Sequence, residues 1–425
     1  MKRSLLYIFT IILFAFSILS NLFIFSCNPN NSELKADDTN LNETNEIILR
    51  LCAGGDFIPH IRVLKSAATY KDFYDTLNFN GFRYLINEIK PIFENCDIGI
   101  INFETPCSPT FEKNHRPFVF NVTKDAIGAL KWMGVNVFML ANNHIFDQGR
   151  LGFRETIQMF ERHNAIFTGI ATSKEQAEKP IIMNIKGIRI AIVSFSEFVN
   201  NNLNDSNRAW VNIFDLNTAL SIIKKYKDSS DAIIVTFHGG VEYANAPLPQ
   251  HKQYFRTLID SGATAVIGTH PHVPQPIEIY TTKDGRKAPI FYSLGNFISN
   301  QSRGYHIGSN IKLGDTRDVI IANFDLVFTK KNGRWEYDIK NISAIPCWTE
   351  NIATKNSIAI RTVWIQKELE SLEKKIDSCK KYSSHQGLLS ELNSKKNLYL
   401  KRISRMKVVV GDSFINTNFK SKEVK

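Results

Sequence analysis

Short apolar segments alternate with amphipathic segments along most of this 425-residue sequence, and this alternation limits the fold more than any other feature. Apolar residues at helical spacing predict helices at residues 125–133, 151–163, 216–227 and 251–261. Apolar runs between them predict strands at residues 48–55, 135–140, 232–237 and 265–268. This order of strand and helix is typical of a layered α/β domain.

Three dipeptides with strong turn propensity predict hairpins in the same region: Lys186-Gly187, Asp284-Gly285 and Asn332-Gly333. They separate the apolar runs at residues 181–195, 277–294 and 319–342. Hairpins pair strands antiparallel, whereas strand–helix–strand units pair them in parallel. The sequence therefore predicts mixed β-sheets flanked by helices.

Polar side chains that can bind metals follow five of the apolar strands. These clusters are Gly55-Asp56, Asn102-Phe103-Glu104, Asn142-Asn143-His144, His238-Gly239-Gly240 and His270-Pro271-His272. The carboxyl ends of strands in an α/β sheet line one edge, where ligands collect. One such residue is usually a cap or a turn, but five in succession predict a shared site. Imidazole, carboxylate and amide ligands favour Mn²⁺, Zn²⁺ or Fe over Ca²⁺.

Six motifs in unbroken order carry a family resemblance. They lie at residues 54–60, 102–106, 141–149, 238–243, 267–276 and 292–297. Together they resemble the CapA or poly-γ-glutamate biosynthesis family, a branch of the calcineurin-like metallophosphoesterase superfamily, over about residues 49 to 328. The resemblance implies a four-layer sandwich of mixed sheets flanked by helices, with one or two divalent metal ions.

The resemblance also implies roles for individual residues. The implied metal ligands are Asp56, Glu104, Asn143, His238, His270 and His272. Asp56 with His270 or His272 would hold one ion, and Asn143 with His238 the other. Glu104 stands where phosphoesterases generally use a bridging Asp.

His144 takes the place of the general acid, and Asp147 either orients it or caps the next helix. Ile58 occupies the position of a ligand histidine in the superfamily. His60 either reaches in instead or that ligand is missing, which would leave one tight and one weak metal.

His60, Glu242 and Arg303 are candidate substrate-binding residues. For Glu242 the alternative is a structural turn, and for Arg303 an ordinary exposed side chain. Lys113 and Arg116, in an insertion after Glu104, are likewise either anion-binding residues or ordinary exposed side chains. Asn296 is either a site residue or one that fixes the backbone.

Two functions are compatible with these residues. One is a membrane-anchored, metal-dependent hydrolase in capsule or poly-γ-glutamate synthesis or export, acting on a phosphoester or on an amide of an envelope polymer. The other is a non-catalytic accessory that binds a polyanion for the synthesis or export proteins. Nucleic acid is not an expected partner, because the central region is near neutral and lacks interleaved aromatic and basic residues.

The two ends of the chain differ from the middle. Residues 1–27 predict a membrane anchor, either a lipoprotein signal acylated at Cys27 or an uncleaved helix, and residues 28–46 a flexible tether. Both anchors place the protein outside the cytoplasm. Residues 47–350 form the predicted CapA-like metallophosphoesterase domain. Residues 351–425 predict a basic helical hairpin, which packs on that domain or touches an anionic surface.

The cysteines give little guidance, because no CxxC spacing occurs. Cys52 lies in an apolar strand and is expected to be a core residue, while a Cys96–Cys107 disulfide stays open.

Overall fold

The structure, a computed structural model, describes residues 46–74, 77–112, 116–200, 210–353, 357–380 and 386–420. The predicted anchor (1–27), nearly all of the tether and Lys113 lie outside the described residues. Within them, no helix combines the length and apolar composition that a membrane span requires.

Two mixed β-sheets form the centre of the fold. The first contains β1 (Glu46–Phe57), β2 (Ile98–Phe103), β3 (Val137–Met139), β4 (Ile166–Thr168), β11 (Asn296–Ile298), β12 (Asp318–Lys331), β13 (Arg334–Ala353) and β14 (Ile358–Trp364). The second contains β5 (Ile181–Ile185), β6 (Ile188–Ser196), β7 (Ala232–His238), β8 (Ala265–Thr269), β9 (Ile277–Thr281) and β10 (Lys287–Phe291).

Strand order fixes where the carboxyl ends meet. The first sheet runs β14-β13-β12-β1-β2-β3-β4, with β11 beside the end of β1, and the second runs β5-β6-β7-β8-β10-β9. Strands β1 to β4 are parallel, as are β6, β7, β8 and β10, so each sheet has one edge at which several strands end.

Helices flank the two sheets. They are α1 (Ile61–Thr69), α2 (Phe82–Ile86), α3 (Lys90–Phe93), α4 (Lys124–Met133), α5 (Gly149–Arg162), α6 (Lys174–Glu178), α7 (Leu216–Tyr226), α8 (Pro249–Asp260), α9 (Ile365–Cys379) and α10 (Gln386–Val410). The predicted helix at residues 251–261 begins two residues earlier, at Pro249, because proline suits the first turn of a helix.

Three apolar clusters separate four layers. Alternation along β2 sends Ile100 to the space between the sheets and Ile101 to the helices on the outer face. Ile192 and Ile234 of the second sheet meet Ile100 in the central cluster. Val235 faces the other way and packs with α7 and α8. The predicted four-layer sandwich of mixed sheets is therefore confirmed.

The hairpin turns follow the predicted dipeptides. Lys186 and Gly187 have φ angles of 54° and 84°, and Asn332 and Gly333 have φ angles of 49° and 79°. Two successive positive φ angles are what a two-residue hairpin turn requires.

The predicted boundary at residue 350 falls inside β13, which continues to Ala353. β14 then adds a further antiparallel strand to the first sheet before the chain becomes helical. The predicted helical hairpin is confirmed as α9 and α10, and Tyr399, Ile403 and Met406 of α10 join the central apolar cluster. The hairpin is thus packed on the domain that the two sheets form.

The cysteine pairing differs from both sequence expectations. Cys52 of β1 forms a disulfide with Cys96, and their Cα atoms lie 5.9 Å apart, a separation suited to a disulfide. Cys107 is a free, buried thiol. Its backbone N–H donates to Thr156 Oγ1 of α5 at 2.9 Å, which places it against a different element.

A buried carboxylate joins α10 to the sheet. Glu350 of β13 is 4% exposed and accepts hydrogen bonds from Arg361 Nε at 2.8 Å and Tyr399 Oη at 2.7 Å. Lys395 Nζ lies 2.8 Å from Glu350 Oε1, the oxygen that also accepts from Tyr399. Burial raises the pKa of Glu350, but Lys395 and Arg361 outweigh burial and lower it below its ordinary value of 4.5.

We expect Glu350→Gln to lower the free energy of unfolding by about 3 kcal/mol near neutral pH, because two cations lose their buried partner. A carboxyl with a lowered pKa contributes stability above its unfolded pKa and loses it as pH falls through the folded value. The difference from wild type should therefore shrink in acid, as urea unfolding at several pH values would measure. Glu336→Gln, which breaks an exposed pair with Lys331, is the control and should cost less than about 1 kcal/mol. Equal losses for the two variants would contradict this role.

Candidate metal centre

Asp56 lies at the end of β1 and is fully buried. Its Oδ1 accepts from Asn102 Nδ2 at 2.7 Å, and its Oδ2 accepts from the backbone N–H of His270 at 3.2 Å. The preceding Gly55 permits this position, because a Cβ there would lie 1.8 Å from the carbonyl oxygen of Gly295. The close approach of β1 to the segment before β11 thus fixes where the Asp56 carboxylate stands.

Glu104 follows β2 directly and is also fully buried. Its Oε2 accepts a hydrogen bond from Asn102, but its Oε1 has no hydrogen-bond partner among the described residues. Three imidazole nitrogens, the Nε2 atoms of His144, His238 and His272, each lie 3.9 Å from Oε1. These distances are too long for hydrogen bonds and leave room for a cation among the four atoms.

His238 ends β7 in the second sheet and is 2% exposed. Its Nδ1 lies 3.0 Å from Thr269 Oγ1, and its Nε2 lies 2.8 Å from Asn143 Oδ1. Asn143 follows β3 of the first sheet, so this contact joins the edges of the two sheets. Asn143 and His238 are the pair that the resemblance places on one ion.

His270 and His272 follow β8 in a backbone conformation that residues other than glycine rarely adopt. Their φ angles are 97° and 59°, in the left-handed region. His272 Nδ1 lies 3.1 Å from Asp56 Oδ2, and the buried Nδ1 of His270 has no hydrogen-bond partner among the described residues. Unusual backbone of this kind is often concentrated at functional sites.

Three groups of side chains offer ligand atoms that all lie within 4.8 Å of one another: Asp56, Glu104 and His272; Glu104, His238 and His270; and Glu242, His270 and His272. Glu104 belongs to two groups, which suits a bridging position. A buried carboxylate oxygen and a buried imidazole nitrogen without partners are costly unless a cation satisfies them. The donor set of imidazole and carboxylate fits Mn²⁺, Zn²⁺ or Fe.

Burial and nearby charged groups shift the pKa values of four side chains in this cluster. Burial, followed by the nearby Asp56 carboxylate, raises the pKa of Glu104 well above its ordinary value. Burial and neighbouring histidines lower the pKa of His238 well below its ordinary value and that of His270 to about 4. At Asp56, burial acts upward, but the His272 contact prevails and lowers the pKa to about 2. The lowered pKa values favour neutral imidazoles, which is the form that binds a metal, and a bound cation would favour the ionised form of Glu104.

His144 lies at the rim of this cluster. Its Nδ1 is 2.8 Å from Asp147 Oδ2, and its ring packs on Phe120 with centroids 4.4 Å apart. Asp147 also accepts from the backbone N–H of Phe120 at 2.6 Å. Of the two interpretations of Asp147, its contacts therefore favour orientation of the His144 ring. Nε2, on the opposite side of that ring, faces Glu104.

Sequence reasoning did not assign roles to two residues that organise the centre. Asn102 Nδ2 donates to Asp56 and to Glu104, and it lies 3.1 Å from His238 Nδ1. Asn200 Nδ2 lies 3.4 Å from both ring nitrogens of His144, and its Oδ1 accepts from Asn143 at 3.1 Å. Asn102 was visible as part of a motif, but no local pattern marks Asn200.

The predicted substrate-binding residues lie at or beyond the edge of the metal cluster. His60 precedes α1, and its Nδ1 accepts a hydrogen bond from the backbone N–H of Asn300 at 3.2 Å. That nitrogen is therefore not free to bind a metal. His60 belongs to none of the three ligand groups found in the described residues. Glu242 is exposed at the rim, with Oε1 3.9 Å from His272 Nε2.

Arg303 and Arg116 are both exposed, and the described contacts do not connect either to the cluster. Asn296 on β11 donates to Ser299 Oγ, Gln301 Oε1 and the Thr316 carbonyl. Those contacts fix the loop after β11, which agrees with the backbone-fixing interpretation.

The comparisons with known proteins agree with these motifs. The profile of the family described as "Bacterial capsule synthesis protein PGA_cap" matches residues 50–301. The chain is 30% identical over 290 residues to the PGA biosynthesis protein CapA of Bacillus subtilis, covering 66% of this chain and 71% of that protein. It is 29% identical over 236 residues to the capsule biosynthesis protein CapA of Bacillus anthracis, covering 53% of this chain and 56% of that protein.

A solved structure, the calcineurin-like phosphoesterase YfkN of Bacillus subtilis, is similar with a TM-score of 0.42 and 16% identity. That similarity covers 82% of this chain and 99% of the solved chain. The family profile covers more than half of the sequence and includes every residue of the three ligand groups. The chain therefore belongs to the bacterial capsule synthesis protein family PGA_cap.

Proposed function

We propose that this protein is a membrane-anchored, metal-dependent hydrolase in the synthesis or export of a capsule polymer such as poly-γ-glutamate. The observation that carries the proposal is the buried, unpaired Glu104 Oε1 with three imidazole nitrogens 3.9 Å away. A fold that only needed a core at this place would use apolar side chains, because unpaired buried carboxylates are destabilising.

Asp56, Glu104 and His272 would hold one divalent cation, and Glu104, His238 and His270 with Asn143 would hold a second. A bound cation of this kind polarises an oxygen and activates water for attack on phosphorus or on a carbonyl carbon. The same geometry serves a phosphoester and an amide, so the candidate substrates are a phosphoester and an amide of an acidic envelope polymer.

His144 supplies the proton in this proposal. Asp147 Oδ2 accepts from Nδ1, which fixes the tautomer and the direction of the ring. When the ring carries a proton on both nitrogens, Nε2, on the side of Glu104, donates its proton to the leaving oxygen or nitrogen, and the ring is left neutral with its proton on Nδ1. Phe120 packs on the ring and limits its rotation.

A second function, a metal-dependent receptor for a polyanion without turnover, is favoured by one observation. Ile58 stands at the position of a ligand histidine in the superfamily and is buried, while the neighbouring His60 uses its Nδ1 for Asn300. A cation held by fewer ligands would still bind carboxylates. His144, oriented by Asp147, favours the hydrolase.

The proposed location is outside the cytoplasmic membrane. The sequence of residues 1–27 supports an anchor, and the Cys52–Cys96 disulfide supports an oxidising compartment.

We expect Mn²⁺ or Zn²⁺ to raise the thermal unfolding temperature of the full chain, since a ligand at 100 times its Kd adds about 2.7 kcal/mol of stability. Glu104→Gln should abolish most of that increase. In metal-free buffer the same variant should be at least as stable as wild type, because it removes an uncompensated buried carboxylate. Differential scanning fluorimetry and metal analysis measure both effects, with His163→Gln as a control far from the cluster. Equal metal content in wild type and Glu104→Gln would contradict the proposed ligand.

We expect His144→Gln to lower kcat by about 10²- to 10⁴-fold while metal content is retained, because the proton donor is lost. Asp147→Asn should give a smaller loss. The assay uses p-nitrophenyl phosphate and a γ-glutamyl polymer with added Mn²⁺ or Zn²⁺. An undiminished rate in His144→Gln would contradict the proton-donor role. Tight polymer binding without turnover by wild type would favour the receptor.

We expect the full chain to fractionate with the membrane and to be accessible to protease from outside the cell. If Cys27 is acylated, wild type incorporates labelled palmitate and Cys27→Ala does not; an uncleaved helix gives a membrane-bound chain without label. Cys52 and Cys96 should resist alkylation until a reductant is added, unlike Cys107 after unfolding. A chain recovered from the cytosol with free Cys52 would contradict the proposed location.

A further inference from the structure

A groove with a volume of about 820 Å³ lies beside the metal centre, between the segment after β7 and the segment between β11 and β12. Tyr243 lines one side and Gln301 the other, and Gln301 Nε2 donates to Tyr243 Oη at 3.3 Å. The Tyr243 ring lies 6.1 Å from the ring of His272. The groove therefore begins next to a candidate ligand, and its volume is in the range of ligand sites, roughly 300–1,000 Å³.

The charge in the groove is positive. Among its described lining residues, the charged ones are Lys312 and Asp315. Asp315 is 3% exposed and is paired with both Arg402 and Arg405. Lys312 is exposed and forms no ion pair with another described residue. The available charge is therefore one ammonium group.

Apolar side chains in the same groove are unusually exposed. Phe118 is 75% exposed and Leu313 is 61% exposed, and both line the groove. The polar residues Asn245, Gln301 and Ser302 also line the groove. A phosphate site would be expected to gather several arginines, or backbone N–H groups at a helix N-terminus. This lining suits a chain that has an amide backbone, methylene groups and spaced carboxylates.

Helix α10 holds the two sides of the groove in place. Arg405 Nη2 donates to Asp315 Oδ2 at 2.6 Å and to Asn245 Oδ1 at 2.9 Å. Asp315 belongs to the segment before β12, and Asn245 lies two residues after Tyr243. Arg402, fully buried, also holds Asp315 at 2.8 Å. The groove thus depends on a helix beyond the residues that the family profile matches.

We propose that this groove binds the stretch of an acidic, amide-linked polymer that flanks the reacting bond, and that Arg405 positions its two sides. The inference rests on the proposed function and adds a subsite to it. Lys312 pairs with a pendant carboxylate of the polymer, and Phe118 and Leu313 contact its methylene groups. The metal centre contacts the bond itself, so long oligomers gain contacts that short ones lack.

The test measures binding of short and long γ-linked glutamate oligomers to the metal-loaded full chain by calorimetry. We expect the long oligomer to bind more tightly. Lys312→Gln should weaken its binding about threefold, as expected for one exposed charge pair, and the effect should shrink at high salt. Leu313→Asp should weaken it further. The matched control is Lys224→Gln. Lys224 is exposed on α7, the helix that packs against the second sheet, and this variant should bind like wild type.

Arg405→Gln tests the positioning role. We expect a higher KM for the long oligomer with less change in kcat, and a smaller effect on p-nitrophenyl phosphate, which is too small to fill the groove. Lys407→Gln on the same helix breaks an exposed pair with Asp412 and serves as the control. A lower thermal unfolding temperature together with equal losses on both substrates would show a structural role alone and overturn the positioning role.

Affinity that does not depend on oligomer length, or that is equal in wild type, Lys312→Gln and Leu313→Asp, would overturn the subsite. Failure of the proposed hydrolase function would give a different result: no substrate would be turned over, but binding would still depend on oligomer length.

Discussion

Two buried carboxylates that face three imidazoles are the constraint on which the rest of this structure depends. Asp56 is satisfied by Asn102, His272 and a backbone N–H, whereas one oxygen of Glu104 has no donor among the described residues. A low-dielectric interior makes such an oxygen costly unless a cation or a proton compensates it. Burial is the main cause of both the raised pKa of Glu104 and the lowered pKa of His238, because it disfavours the charged form of each group.

The two-sheet architecture explains how these groups meet. β1, β2 and β3 end at one edge of the first sheet, and β7 and β8 end at the facing edge of the second. The inter-sheet apolar cluster fixes the distance between those edges. The side chains that follow these strands therefore lie close together. Asn102 orients Asp56, and Thr269 orients His238. The unusual backbone at His270 and His272 is retained because the surrounding contacts hold it.

The C-terminal hairpin connects stability with the site. Glu350 joins α10 to β13, while Arg402 and Arg405 join it to the segment that lines the groove. These contacts are charged and buried, so their geometry is demanding and loss of one partner is destabilising. The basic surplus of the C-terminal residues is therefore partly structural: several of those cations neutralise carboxylates of the domain that they cover.

The layered fold, the hairpin turns and the polar residues that follow the strands could be predicted from the sequence alone. Those features depend on local spacing, such as alternation in β2 or the Asn332-Gly333 turn, and local spacing is readable in one dimension. Four other features are visible only in the folded structure. They are the disulfide partner of Cys52, the contacts of Asn200 with His144 and Asn143, the hydrogen bond from Asn300 to His60 Nδ1, and the position of Arg405 beside the groove. Each of these depends on distances between segments remote in sequence, and those distances are set by how the two sheets and α10 pack.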